Sequence, residues 1–459
     1  MKFMDLKPYA SLLGDYTDLR VEEVAYSYLV LSNGDIAKNI YNKARGVSAR
    51  SYEKGLWGFA CQSDINDISI KKTIEYSIAN ARFLSKKKKQ SDKKLPGEPT
   101  ISNVDMSDRQ SKFSRKELID FACQIDNYIE QKYPQLITRN ILHQQYSISK
   151  NFLNSIGSSF TYFLPKITLS IALSGENKTN KDKVVFSFYG FGDEEVLNDP
   201  EVIYPEIDKH YEHLRRKLEG IYPDAGEHEC ILDSKMIGVF AHEAVGHTTE
   251  GDIVRHGSIA REYLNHPVAS PLISIVDFAN TAFGEICTVP VYVDDEGTRA
   301  EDVTLIDKGI LKNYMHNQET ADYFNTKPTG NARALYYHEQ PLVRMRNTVI
   351  LPGKSKLEDM ISSIDKGYYL ITKRSGQADS NGEFMVGISL GYEIANGKLG
   401  RALKDTVITG IAFDMMKTVG AVSDEMTWGK GSMCGKNNFS MICNHGGPSI
   451  KCRIKVGGR

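Results

Sequence analysis

No run of apolar residues in this chain approaches the ~20 needed to cross a bilayer as a helix, so a helical membrane protein is not expected. An excess of one charge is missing as well. Lys and Arg number 57 against 58 Asp and Glu, and the formal net charge of −1 offers no bulk attraction to nucleic acid or to a lipid surface. Cysteine is sparse and odd in number, seven in 459 residues, which argues against a disulfide framework. The opening Met1-Lys2-Phe3-Met4-Asp5-Leu6-Lys7 puts charges where a secretory signal needs an apolar core. The expectation is a soluble, cytoplasmic protein with reduced thiols and with no nucleic-acid or membrane partner. The one basic run, Lys86 to Lys89 with Lys93 and Lys94, precedes Leu95-Pro96-Gly97 and reads as a solvated linker.

At this length two sizeable cores are expected. The pattern is α+β: a mixed α/β N-terminal domain over residues 1–225, then a C-terminal domain over 226–459 dominated by curved antiparallel sheet that carries a metal-binding helix. In the first, Leu19 to Ser32 alternates as a strand and Asn33-Gly34-Asp35 turns it into a second. Glu53-Lys54-Gly55 turns a further hairpin. Ser69–Ser85, Lys116–Lys132 and Val196–Leu218 have helical periodicity, while Asn140–Ser149 and Ser158–Ser174 read as strands. Pro223-Asp224-Ala225-Gly226 marks the boundary. A short strand, Glu229–Leu232, then leads to a helix from about Lys235 capped by Asp233 or Ser234. Beyond Ala282 short strands dominate, with turns at Lys308-Gly309, Asn381-Gly382 and Asn396-Gly397 and helices near Lys356–Lys366 and Gly410–Thr418. There is no internal repeat.

What the chain does possess is His242-Glu243-Ala244-Val245-Gly246-His247, at the end of that apolar helix. Neutral imidazoles bind divalent ions, and a carboxylate beside them can take a proton from a metal-bound water. The spacing is one residue longer than the H-E-x-x-H of common zinc peptidases. On a regular α-helix, positions i and i+4 lie ~40° apart and i and i+5 ~140° apart, so the two rings could not share an ion. Either a π-bulge widens the turn, or the helix stops near Gly246, which adopts a conformation other residues avoid. A catalytic zinc usually takes a third protein ligand. Glu250, Asp252 and His256 are near in sequence, although Glu250 and Asp252 read more simply as a polar turn around Gly251. Cys434 lies in what reads as an exposed Gly-rich turn. Cys443 and Cys452 sit in strand-like runs and read as buried small hydrophobes. A four-ligand structural site from Cys434, Cys443, His445 and Cys452 is the competing arrangement.

The motif, followed by Glu250-Gly251-Asp252, resembles the TldD branch of the TldD/PmbA metallopeptidase family. Further matches are Asp294-Asp295-Glu296-Gly297-Thr298, Gly309-Ile310-Leu311, Pro328-Thr329-Gly330-Asn331, Pro341 to Asn347, Leu351-Pro352-Gly353, Cys434-Gly435-Lys436 and Val456-Gly457-Gly458. Gly46 to Arg50 and Gly58-Phe59-Ala60 match more loosely. Arg299 stands where a proline is common, and Ala334 where a second arginine is. The resemblance implies that His242, His247 and Cys434 bind the metal, zinc or alternatively iron(II), with Glu243 as general base. It further implies a dimer, with a related TldE/PmbA-like subunit lacking the motif or with a second copy. The dimer would enclose a chamber for small or unfolded peptides, walled by the N-terminal domain.

Two imidazoles and a thiolate would leave zinc with a charge of about +1, still enough to lower the pKa of bound water from 15.7 toward ~7. Glu243 would accept that water's proton and pass it to the leaving amine. His338 and Arg344 are candidates to stabilise the oxyanion. Strand edges could hold an extended peptide. Two other classes compete: a non-catalytic modulator or scaffold with a structural metal, and a metal-dependent amidase or deformylase acting on one small substrate.

Overall fold

The computed structural model describes residues 4–87, 95–177, 183–191 and 198–457. Lys88, Lys89, Lys93 and Lys94 of the basic run, the start of the helix expected from Val196, and Gly458 lie outside the described residues.

Strand-forming sequence interrupted by Gly and Asn turns builds two large sheets, with two short two-stranded ones beside them, among the described residues. The first holds β1 (Thr17–Ser32), β2 (Asp35–Glu53), β3 (Leu56–Gln62), β4 (Ile101–Asp105), β5 (Thr138–Asn154), β6 (Ser159–Glu176) and β7 (Lys183–Phe191), in the order β3-β2-β1-β5-β6-β4 with β7 also on β6. Its tight turns follow the expected chemistry, since Asn33-Gly34 and Lys54-Gly55 all have positive φ. Helix α1 (Asp67–Ser85) packs Ile70 and Ile74 on Leu19, Val47 and Ala49. Helix α2 (Arg115–Lys132), started by a Ser114/Glu117 capping box, and α3 (Tyr204–Leu218) cover Leu29, Ile141 and Ile171. Helix α3 begins later than the periodicity predicts, because Pro200 opens a short 3₁₀ turn and Pro205 then fixes its own first turn.

The second sheet contains, among its longer strands, β8 (Gly226–Leu232), β9 (Ile275–Phe278), β10 (Val303–Asp307), β11 (Asn347–Ile350), β12 (Lys366–Ala378), β13 (Glu383–Ala395), β14 (Thr406–Ile411), β15 (Ala421–Trp428), β16 (Ser432–Lys436) and β17 (Phe439–Val456). Strands β8-β12-β13-β14-β17 form a closed ring, because β17 pairs with both β14 and β8. The curvature expected from the turns is thus a barrel. Most ladders are antiparallel as predicted, but β8–β12 and β11–β17 are parallel.

Helix α4 (Ser234–Phe240) fills one side of this barrel. Asp233 caps it, accepting from the Lys235 N–H. Met236, Ile237, Phe240, Ala241, Ala244 and Val245 bury into the core formed by Leu232, Leu370, Phe384, Val386 and Ile450. Gly238 lets the helix lie against β17, since a Cβ there would sit 2.7 Å from the Gly446 nitrogen. The motif is therefore carried on a helix packed on the barrel wall rather than on a loop.

The two sheets are joined by buried ions. Arg50 of β2 bonds Asp18 of β1 at 2.8 Å and Glu296 at 2.9 Å, and stacks on Trp57. Lys150 of β5 bonds Asp295 at 2.7 Å. The Asp294-Asp295-Glu296-Gly297 turn thus ties the second sheet to the first.

Candidate metal centre

The segment Ala241–Gly246 is one turn of π-helix, followed by a 3₁₀ turn at His247–Thr249. The wider turn brings positions i and i+5 together, and the two imidazole centroids lie 5.0 Å apart. Of the two routes open to the sequence, the π-bulge is the one used. Gly246 keeps ordinary right-handed helical angles, φ −55° and ψ −55°. Its lack of a side chain serves packing instead, because a Cβ would fall 1.9 Å from the Met345 sulfur. Gly246→Ala is expected to lower stability by about 1–3 kcal/mol through overpacking. Urea unfolding reads this, and an unchanged midpoint would mean that Met345 yields freely.

Cys434 is not in a turn. It lies within β16 and is 8% exposed, and the turn is made by Asn437 and Asn438, both at positive φ. The β16–β17 hairpin presents Cys434 to the motif, its sulfur 3.3 Å from His247 Nε2. Cys443, read from sequence as a buried hydrophobe, is buried but not in apolar company. Its sulfur lies 3.9 Å from His242 Nδ1. The donor atoms of His242, Cys434 and Cys443 lie within 4.8 Å of one another, as do those of His242, Glu243 and His247. The four-ligand alternative is broken up: Cys452 pairs across from Cys230 in the barrel core, while the His445 ring is 6.0 Å from that of His242.

The sequence reading considered Glu250 as a ligand or a polar turn and missed its pairing with Lys436. Glu250 is fully buried and is not a solvated turn. Its Oε2 lies 3.2 Å from His247 Nδ1, which leaves Nε2 to face Cys434. Lys436 Nζ holds the same carboxylate oxygen at 2.9 Å, Asp252 at 2.7 Å and the Val343 carbonyl at 2.9 Å. The sequence held no signal for this pairing, because the burial of Lys436, which requires a carboxylate partner, appears only in the fold.

These neighbours favour positive charge between the rings. Burial would depress the His247 imidazolium, but Glu250, then Cys434, outweigh it and push the ring up to about 10. Cys434 is held far below the ordinary thiol range, first by a hydrogen bond from Cys443 and, against burial, by His242 and His247. Donating that bond, with burial, raises Cys443 well above the ordinary thiol range. A soft, imidazole-and-thiolate donor set in a cation-favouring pocket suits a zinc-like ion.

Glu243 is half-buried, with Oε2 3.9 Å from His247 Nε2 and its stem against Gly376 of β12. Arg344 is buried and donates to the carbonyls of Cys434 and Phe439, so its guanidinium braces the hairpin. His338 stacks on Tyr336, 5.5 Å between centroids, in the wall of a cleft of about 620 Å³ lined also by Tyr26, Tyr28, Tyr146 and Met433.

Residues 225–458 match the family described as PmbA/TldA metallopeptidase C-terminal domain, and residues 17–81 match its domain 1. A zinc metalloprotease TldD homolog of Saccharolobus solfataricus is 27% identical over 99% of both chains. A metalloprotease TldD homolog of Buchnera aphidicola is 28% identical over 99% of this chain and 95% of its own. The crystal structure of TldE from Thermococcus kodakarensis shares the fold, with a TM-score of 0.75 at 18% identity over 99% of each chain.

Proposed function

Because the chain belongs to the PmbA/TldD family of metallopeptidases, we propose that it is a zinc-dependent peptidase acting on small or unfolded peptides, with His242, His247 and Cys434 as metal ligands and Glu243 as general base. The observation that carries the reading is the π-turn, which gathers two imidazoles beside the Cys434 thiol with the Glu243 carboxylate next to them. The ion, when bound, supplies Lewis acidity that acidifies water and polarises a carbonyl. The protein's own residues do the rest. Glu250, fixed by Lys436, orients His247 through Nδ1. Arg344 holds the backbone of the Cys434 strand. Glu243 takes a proton from the attacking water and returns it to the leaving amine. The tyrosine-lined cleft runs beside the same hairpin, since Met433 and Phe439 line it, and offers aromatic surface to a peptide chain. His338 lines that wall, and it is the group we assign to the developing oxyanion.

We read the two sheets as two domains and the first as the assembly domain. Strand β2 pairs with β3 only from Val47 onward, which leaves residues 35–46 with an open edge among the described residues. Ile40 and Tyr41 on that segment are 45% and 68% exposed. An open edge with exposed apolar side chains suits pairing with a related subunit or a second copy. No helix among the described residues is long and apolar enough to cross a membrane.

Elemental analysis tests the ligand set. Cys434→Ser should carry much less zinc per chain than the parent, and stoichiometric zinc in that variant would remove Cys434 from the set. Glu250→Gln should retain the ligands but weaken zinc binding by about 10–100-fold in chelator competition. Parental affinity would reduce Glu250 to a packing residue.

A further inference from the structure

Cys443 is not among the ligands of the centre as proposed, where it only donates a hydrogen bond to Cys434, although its sulfur faces the same space. On the β16–β17 hairpin, Ser432 pairs with Cys443 and Cys434 with Met441. The two cysteines are therefore diagonal neighbours, two residues apart along the ladder and on one face of it, the face turned toward the motif. Both sulfurs meet the π-turn: Cys434 at 3.3 Å from His247 Nε2 and Cys443 at 3.9 Å from His242 Nδ1. In a tetrahedral zinc site with Zn–S ≈ 2.3 Å and Zn–N ≈ 2.0–2.1 Å, neighbouring donors stand roughly 3.3–3.8 Å apart. The Cys434 separation falls within that spacing and the Cys443 separation lies just above it. Nor is Cys443 filling an apolar gap. Its other partners are the Cys434 sulfur, to which it donates, and the Ser432 hydroxyl and carbonyl, these two each at 3.7 Å.

We propose that Cys443 is a second thiolate ligand of the same ion, giving a resting His242–His247–Cys434–Cys443 set with Glu243 outside it. The inference rests on the ligand reading above and deepens it. A second thiolate brings the site's charge from about +1 to neutral, with the two imidazoles uncharged. Four protein donors also leave no open position, in contrast to the three of a catalytic site. The resting protein then holds its ion in a closed set, and loss of Cys443 from it opens one position. The sequence placed Cys443 among hydrophobes because an Ile-Cys-Asn strand gives no hint of what its partner strand faces.

X-ray absorption at the zinc edge of the full-length, zinc-loaded parent reads the donors without any substitution. Two sulfur and two nitrogen neighbours are expected; one sulfur overturns the proposal. Cobalt(II)-loaded protein supplies the second readout. Cys443→Ser should lose about half of the thiolate-to-cobalt charge-transfer intensity, because one of two equivalent sulfurs is gone. Intensity equal to the parent's in a folded Cys443→Ser, or in Cys443→Ala if the serine variant fails to fold, overturns it. The underlying ligand reading fails differently. If the parent binds no zinc or cobalt, or if Cys434→Ser keeps the full band, both the reading and the proposal fall; a single sulfur that disappears with Cys434→Ser sinks the proposal alone.

Discussion

Glu243→Gln is expected to keep zinc at the parental level while peptide hydrolysis falls by about 10²–10⁴-fold, the usual worth of a general base. The substitution preserves size and hydrogen-bonding shape and removes basicity alone. Separation of binding from turnover follows from position. Glu243 sits beside the ligand cluster, 3.9 Å from His247 Nε2, yet the proposed imidazole and thiol donors suffice without it. Its carboxylate rests near Gly376 and Lys373 on β12, where burial lowers the lysine and the Glu243 charge partly restores it. Zinc content and initial rates measured on one preparation check the expectation. Loss of zinc together with activity would make Glu243 a ligand, and near-parental hydrolysis would remove the base from the mechanism.

Arg50→Met should cost about 3–5 kcal/mol, because it removes the guanidinium that pairs with two buried carboxylates at once. Asp18 is 1% exposed and Glu296 is fully buried, and both bond Arg50 directly. Urea unfolding at neutral pH measures the loss. The deficit should also narrow as pH falls. Burial raises both carboxyls in the parent, even against Arg50. A carboxyl whose folded pKa lies above its unfolded value contributes stability at low pH and loses it as pH rises through the folded value. Removing the arginine raises both further, so protonation relieves the variant first. A loss under 1 kcal/mol, or one independent of pH, would show that these ions do not hold the two sheets together.

What the sequence made legible was local. The H-E-x-x-x-H spacing already required a non-α turn, since i and i+5 diverge on a regular helix, and the π-turn answers that requirement. Asn-Gly and Lys-Gly turns marked their hairpins because the glycine takes positive φ without a Cβ clash. Apart from the late start of α3 at its prolines, the main misreadings concern partners distant in sequence. Cys434 was assigned to a turn because Gly435 follows it, yet that glycine continues the strand and Asn437-Asn438 turn instead. Glu250 looked like a polar turn because its partner Lys436 lies 186 residues away. Closure of the barrel depends on β8 meeting β17 across the whole second half, which no local pattern records.

The most direct measurement is mass spectrometry of a mixed unfolded-peptide pool incubated with zinc-loaded protein, with and without chelator, and with any subunit that co-purifies. The account predicts new peptide termini that appear with zinc, vanish on chelation and are absent with Glu243→Gln. No new termini from protein carrying stoichiometric zinc would contradict it, and would leave the centre to a structural role or to a single small amide substrate.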